Sequence, residues 1–128
     1  VGYSYPEQGQ ERLIVASQSR KHRGYRSQKV GAERLAATIF PYAESTGAGR
    51  SGSDITGTPG IDWEVKARTG FEPSAVMKQL KDRDNGNLGI ALLRLNGQGE
   101  ASVGDWVCLL RFDDVIELLR KAGYGESK

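Results

Sequence analysis

Asp54, Glu64 and Lys66 are the residues whose types and spacing point to chemistry. Asp54 stands in Ser51-Gly52-Ser53-Asp54-Ile55-Thr56-Gly57, and Glu64 and Lys66 stand in Ile61-Asp62-Trp63-Glu64-Val65-Lys66. With 61–67 as a strand, Ile61, Trp63, Val65 and Ala67 point one way and Asp62, Glu64, Lys66 and Arg68 the other. Two carboxylates and an amine then converge at a strand edge, and a glycine-rich turn leaves room for a large substrate. Such a set suits a hard divalent cation, Mg2+ or Mn2+, beside a phosphodiester. Uncatalysed phosphodiester hydrolysis is so slow that charge neutralisation, an activated water and a stabilised leaving oxygen must combine. Asp54 and Glu64 are the expected metal ligands, helped by the Val65 backbone carbonyl. Lys66 is expected to orient or deprotonate the attacking water, or to hold the phosphate, and its spacing leaves these roles open. Asp62 lies on the Glu64 face and competes as a ligand.

These side chains need elements to carry them. Tyr42–Thr46, Ser53–Thr56 and Ile61–Ala67 read as three strands joined by the tight glycine-rich links that antiparallel turns require. Before them, Ser27 is a plausible N-cap for a helix from about Gln28 to Phe40, stopped by Pro41. Its apolar positions Val30, Leu35, Ala36, Ala37, Ile39 and Phe40 fill one broad face, and Glu33 falls inside it. A carboxylate there would need protonation or a counter-charge. A cation at the cluster would provide that partner, so Glu33 joins the expected metal and catalytic residues. Pro73 starts a helix to about Arg83 that carries Gln79, a weaker candidate for positioning water or phosphate. Leu88–Leu95 reads as a strand covered on both faces. Val103–Arg111 reads as the last strand, and a helix capped by Asp113 or Asp114 and closed by Gly123 follows.

The acidic triplet, its order and the interposed turns resemble the PD-(D/E)xK nuclease superfamily. More narrowly, they resemble the Holliday junction resolvase-like nucleases of archaea and bacteriophages. The match is carried by the basic lead-in Arg20 to Lys29, by Glu33, by Gly52-Ser53-Asp54-Ile55-Thr56-Gly57, by Glu64-Val65-Lys66 and by Gln79. The phage-type pattern D-I-T-G-x-P-G-x-x-x-E-V-K fits residues 54–66 most closely. Gly104-Asp105-Trp106 and the end Ala122-Gly123-Tyr124-Gly125 are also similar to such phage proteins. One departure is Ser53, where the superfamily commonly has proline. The resemblance covers residues 20–125 and implies a restriction-endonuclease-like α-β-β-β-α-β core, an α/β fold with a mixed central sheet flanked by helices. It also implies an Mg2+-dependent (or Mn2+-dependent) homodimeric endonuclease that nicks branched DNA, leaving a 5′-phosphate and a 3′-hydroxyl. Two rivals remain: another nuclease of the superfamily, of repair or restriction type, and a catalytically silent DNA-binding protein of the same fold.

The bulk properties agree with a nucleic-acid partner. The 128 residues suit one domain, expected at 20–125 behind an N-terminal arm of 1–19. The net charge is only +2, but residues 1–34 hold seven Lys/Arg against three acids, while the rest holds eleven against thirteen. A basic leading segment on a slightly acidic body suggests a polyanion docked from one side. Arg20, Lys21, Arg23, Arg26 and Lys29 are the expected DNA contacts, with Arg50 and Ser51 in a second loop. The segment Gly47-Ala48-Gly49-Arg50-Ser51-Gly52 lacks the Gly-Lys-Ser/Thr ending of a P-loop. One cysteine, Cys108, excludes an intramolecular disulfide and a cysteine-rich zinc site. It is expected to pack in the last strand. The single histidine, His22, excludes a His-pair metal site. No apolar run or leader suggests a membrane or export, so the cytoplasm of a bacterial or archaeal host, with possible phage origin, is the expected location.

Overall fold

The computed structural model describes residues 23–47, 52–67 and 72–125. The expected N-terminal arm, Arg20, Lys21, His22, Arg50, Ser51 and Arg68 lie outside them.

Residues 23–36 are helical (α1), so the basic segment from Arg23 to Lys29 lies within the helix. Ser27 is therefore not an N-cap. It is fully buried, and its Oγ accepts a hydrogen bond from Arg94 Nη1 (3.2 Å). Apart from Gly24, the Arg, Gln and Lys of this stretch are good helix formers and carry the helix through Ser27. The helix ends before Phe40, whose N–H donates to the Leu35 carbonyl (2.8 Å), and Ile39 is left exposed.

Two short strands follow, β1 (Glu44–Ser45) and β2 (Ile55–Thr56), paired antiparallel with Ser45 opposite Ile55. Gly57 ends β2 at φ +77°, and a Cβ there would sit 2.0 Å from the Tyr42 carbonyl oxygen. No other residue fits this close backbone approach. The turn closes with Ile61 N–H on the Thr58 carbonyl (3.1 Å), while Thr58 Oγ1 accepts from Trp63 Nε1 (3.0 Å).

Strand β3 (Ile61–Lys66) runs parallel to β4 (Leu88–Leu93), joined across a face of the sheet by helix α2 (Pro73–Asp82). The first-turn proline starts α2 as expected, since its missing N–H has no helical partner there. Strand β5 (Val107–Leu109) pairs antiparallel with β4, giving a three-stranded mixed sheet in the order β3-β4-β5. The expected start of that last strand is instead a 3-10 helix, Glu100–Asp105, between Gly99 and Trp106. Helix α3 (Phe112–Lys121) begins one residue ahead of the expected Asp caps, with Asp113 and Asp114 in its first turn, where the helix dipole favours them. It closes at Gly123 (φ +92°), with Tyr124 N–H on the Leu119 carbonyl (2.9 Å).

The sheet has an apolar layer on each face. Trp63, Val65, Ile90, Leu92 and Trp106 pack with Ala32 of α1, and Ala91 and Leu93 pack with Val76 and Leu80 of α2. The fold is thus mixed α/β, with a small mixed sheet flanked by helices. Both tryptophans belong to the core, whereas Cys108, expected to pack in the last strand, is exposed on β5. No helix among the described residues is long and apolar enough to cross a membrane.

Candidate metal centre

The outer edge of β3 is where the candidate residues meet. Leu88 N–H donates to the Gly60 carbonyl (2.8 Å) and Arg94 N–H to that of Lys66 (2.9 Å), so the even-numbered residues of β3 face β4. Trp63 and Val65 consequently turn their backbone groups outward. Short polar side chains take the place of a neighbouring strand. Trp63 N–H donates to Ser53 Oγ (2.9 Å), Val65 N–H donates to Asp54 Oδ2 (2.7 Å), and Asp54 N–H donates to the Trp63 carbonyl (2.9 Å). Asp54 is thereby fixed by its own backbone and one carboxylate oxygen. The Val65 carbonyl leaves the strand on the same side as its N–H, toward Asp54.

Ser53 also donates its hydroxyl to the Ile55 carbonyl (2.7 Å), which explains a serine at this position. A proline side chain offers neither contact. Ser53→Ala leaves the Trp63 N–H without its acceptor and is expected to cost roughly 1–3 kcal/mol in urea denaturation, the usual penalty for one orphaned buried donor.

The even-numbered side chains of β3 form a charged row on the α2 face. Lys66 Nζ lies 3.0 Å from Glu64 Oε1. Arg83, the residue that closes α2, places Nη1 2.6 Å from Glu64 Oε2 and Nη2 2.8 Å from Asp62 Oδ1. Its Nε donates to Asp62 Oδ2 (3.1 Å), and Nη2 also donates to the Trp63 carbonyl (3.1 Å). Asp62 and Glu64 are buried, at 4% and 6% exposure, so these pairings are what permit charge there. Burial works against the Arg83 charge, but the hydrogen bonds to Asp62 and Glu64 outweigh it and hold its pKa above the ordinary arginine value.

Asp54 has no ion-pair partner among the described residues. Burial is the largest influence and pushes its carboxyl up from 3.8 to about 6, with the Glu64 charge adding to the rise. The Val65 N–H, Arg83 and Lys66 pull in the opposite direction without cancelling it. Between 3.8 and about 6 the folded chain keeps a proton that the unfolded chain has released. Stability therefore falls as pH rises through that window and stays lower above it. Asp54→Asn keeps an acceptor for Val65 but cannot ionise. The variant is expected to be more stable than wild type above about pH 6, with the difference closing toward pH 3.8. Thermal denaturation at both ends of the range checks this.

The structure thus brings together Asp54, Glu64, Lys66 and the Val65 carbonyl. Glu33 is different, because it is exposed. The expectation that it lies inside the apolar face is overturned by the helix phase. α1 meets the sheet through Ser27, Gly31 and Leu35, and at roughly 100° per residue Glu33 lies on the far side from Gly31. Its position therefore creates no need for a counter-charge. Among the described residues no group of three or more acidic, histidine or cysteine side chains is placed to hold one ion. Asp62, the competing ligand, is instead held on both oxygens by Arg83. Gln79 is exposed, one turn before Arg83 on α2.

Of the expected DNA contacts within the described residues, Arg26 is engaged by Glu100 of the 3-10 helix (2.8 Å), while Lys29 is exposed and Arg23 half-buried on α1. Sequence reasoning missed Arg83. No charge imbalance signalled it, because Asp62, Glu64, Lys66 and Arg68 read as two acids and two bases on one strand face. A cleft of about 370 Å³ between α2, the 84–89 segment and the start of α3 touches the charged row only at Asp62. It is a separate surface from the Asp54 edge.

Comparison with family models, with curated proteins and with solved structures finds no match.

Proposed function

We propose that this chain is a metal-dependent, structure-selective DNA endonuclease of the junction-resolving kind, acting on branched DNA as a homodimer. The observation that carries the reading is the Asp54 carboxylate. It is held at the β3 edge by one oxygen, raised to about 6 by burial and by Glu64, and lacks a basic side chain hydrogen-bonded to it among the described residues. A divalent cation would neutralise such a carboxylate. Mg2+ commonly keeps several waters and needs only one or two carboxylates, so Asp54, Glu64 and the Val65 carbonyl fit it without a third acid. When bound, the cation would supply Lewis-acid stabilisation of the phosphate and activation of water.

The chain's own residues do the positioning. Asp54 and Glu64 hold the charge that fixes the site, and Lys66 offers an ammonium 3.0 Å from Glu64 to orient water or grip phosphate. Water attacks phosphorus in line, the bond to the 3′ oxygen breaks, and a 5′-phosphate and 3′-hydroxyl remain. Gln79 and, from the surface of α1, Glu33 stay in the proposal as auxiliary groups that assist once DNA is bound. Arg20, Lys21, Arg23, Lys29, Arg50 and Ser51 are proposed to contact phosphates, which favours DNA shape over base sequence. Arg26 joins them only by giving up Glu100. The element order α-β-β-β-α-β and the mixed sheet support a restriction-endonuclease-like core. Phe112, Ile116 and Leu119 are exposed on α3, beyond the terminal strand β5, and offer apolar surface to a second copy.

A labelled four-way junction incubated with Mg2+, Mn2+ or EDTA tests the activity. Paired nicks that need the metal and exceed those on flap, nicked or linear duplex are expected. Equal rates on linear duplex would move the reading to a repair or restriction-type nuclease of the same superfamily. One observation favours a second reading, a DNA-binding protein without catalysis: both oxygens of Glu64 are already paired, to Lys66 and Arg83. In that case Mg2+ would produce no nicks and would leave the melting temperature unchanged. The nuclease reading expects Mg2+ to raise the melting temperature of wild type but not of Asp54→Asn.

A further inference from the structure

Arg83 spends its donors on the acidic row in an uneven way. Nε and Nη2 take both oxygens of Asp62 (3.1 and 2.8 Å), Nη2 also takes the Trp63 carbonyl, and Nη1 takes one oxygen of Glu64 (2.6 Å). A guanidinium fork matched to a carboxylate is a strong and geometrically specific partner. Among the described residues Lys66 has a single ion-pair contact, to the other oxygen of Glu64, and its side chain is 18% exposed. The two bases therefore differ in how readily they give way.

We propose that Arg83 is a positioning residue that acts as the built-in counter-cation of this site and limits it to one divalent ion per chain. The inference rests on the reading of Asp54 and Glu64 as cation ligands. Paired-metal sites hold their ions roughly 3.5–4 Å apart, which requires further carboxylate oxygens around the second ion. On the β3 face the additional acid is Asp62, and Arg83 occupies both of its oxygens. A second ion would have to displace a guanidinium held by four hydrogen bonds and to sit beside its positive charge. Of the two bases on Glu64, Lys66 is the one that would yield its oxygen to a cation, and its ammonium would stay beside the site to meet a phosphate. Glu64 remains steered by Arg83 throughout.

The test is Mn2+ titration of the full chain, with free Mn2+ read by its electron paramagnetic resonance signal. Wild type is expected to bind one Mn2+. Arg83→Gln frees Asp62 and is expected to bind two. The double variant Arg83→Gln with Asp62→Asn leaves no unpaired acid at position 62 and guards against misfolding of the single variant. It is expected to bind one Mn2+ about tenfold more tightly, because Glu64 is no longer shared with an internal cation. A merely structural role for Arg83 would weaken binding in both variants. Two Mn2+ on wild type, or one on every form with unchanged or weaker affinity in the variants, overturns the inference and leaves the metal centre standing. No Mn2+ on any form overturns the metal centre itself, and the inference with it.

Discussion

Under the proposed function, Asp54→Asn and Lys66→Ala are each expected to lower Mg2+-dependent nicking of a four-way junction by roughly 10³-fold or more, which corresponds to about 4 kcal/mol of transition-state stabilisation. The two variants fail for different reasons. Asn at 54 keeps the hydrogen bond from Val65 but removes the charge proposed to draw a cation to the β3 edge. Ala at 66 leaves both carboxylates and removes the ammonium beside Glu64. Steady-state rates on a labelled junction, measured across Mg2+ concentrations, separate them. Excess Mg2+ recovers part of the loss only where the defect is in cation affinity, so partial rescue belongs to Asp54→Asn. Neither loss is to be confused with unfolding. Asp54 carries a charge that burial disfavours, so Asn at that position stabilises the fold at neutral pH while activity disappears.

Arg83→Ala has the largest expected effect on stability, a loss of roughly 3–5 kcal/mol in urea denaturation. The change strips both oxygens of Asp62 and one of Glu64 of their partner, in a place where these residues are 4% and 6% exposed. Lys66 covers part of the deficit at Glu64 but lies on its other oxygen. The loss comes from leaving buried charge uncompensated, so adding Asp62→Asn to Arg83→Ala recovers a substantial part of it. Breaking the exposed pair between Lys78 and Asp82, by contrast, changes little, since such pairs are screened and mobile. A result in which Arg83→Ala and Lys78→Ala behave alike would remove the buried network from the account.

The site was legible where chemistry follows from alternation along one strand. Asp62, Glu64 and Lys66 share a face because β3 has a period of two, and the opposite residues Trp63 and Val65 enter the core. The Gly57 turn was equally readable, since it needs a residue without a side chain. What failed depended on tertiary phase. Glu33 was placed inward by running the helix to Phe40 and counting Ala37, Ile39 and Phe40 in its apolar face, whereas the helix ends at 36 and contact through Ser27, Gly31 and Leu35 turns Glu33 to the surface. The 3-10 helix Glu100–Asp105 hid in a stretch that also reads as a strand, because short glycine-bounded segments carry little periodicity. Arg83 was invisible for a related reason. Its partners lie 21 and 19 residues earlier, and local pattern does not reveal how a helix end will meet the strand it covers.

The most direct test is the anomalous difference density of a crystal grown or soaked with Mn2+. The account predicts one peak per chain at the β3 edge, within coordinating distance of Asp54, Glu64 and the Val65 carbonyl, with Arg83 still on Asp62. An edge without a peak, or Mn2+ bound only elsewhere on the molecule, would contradict it.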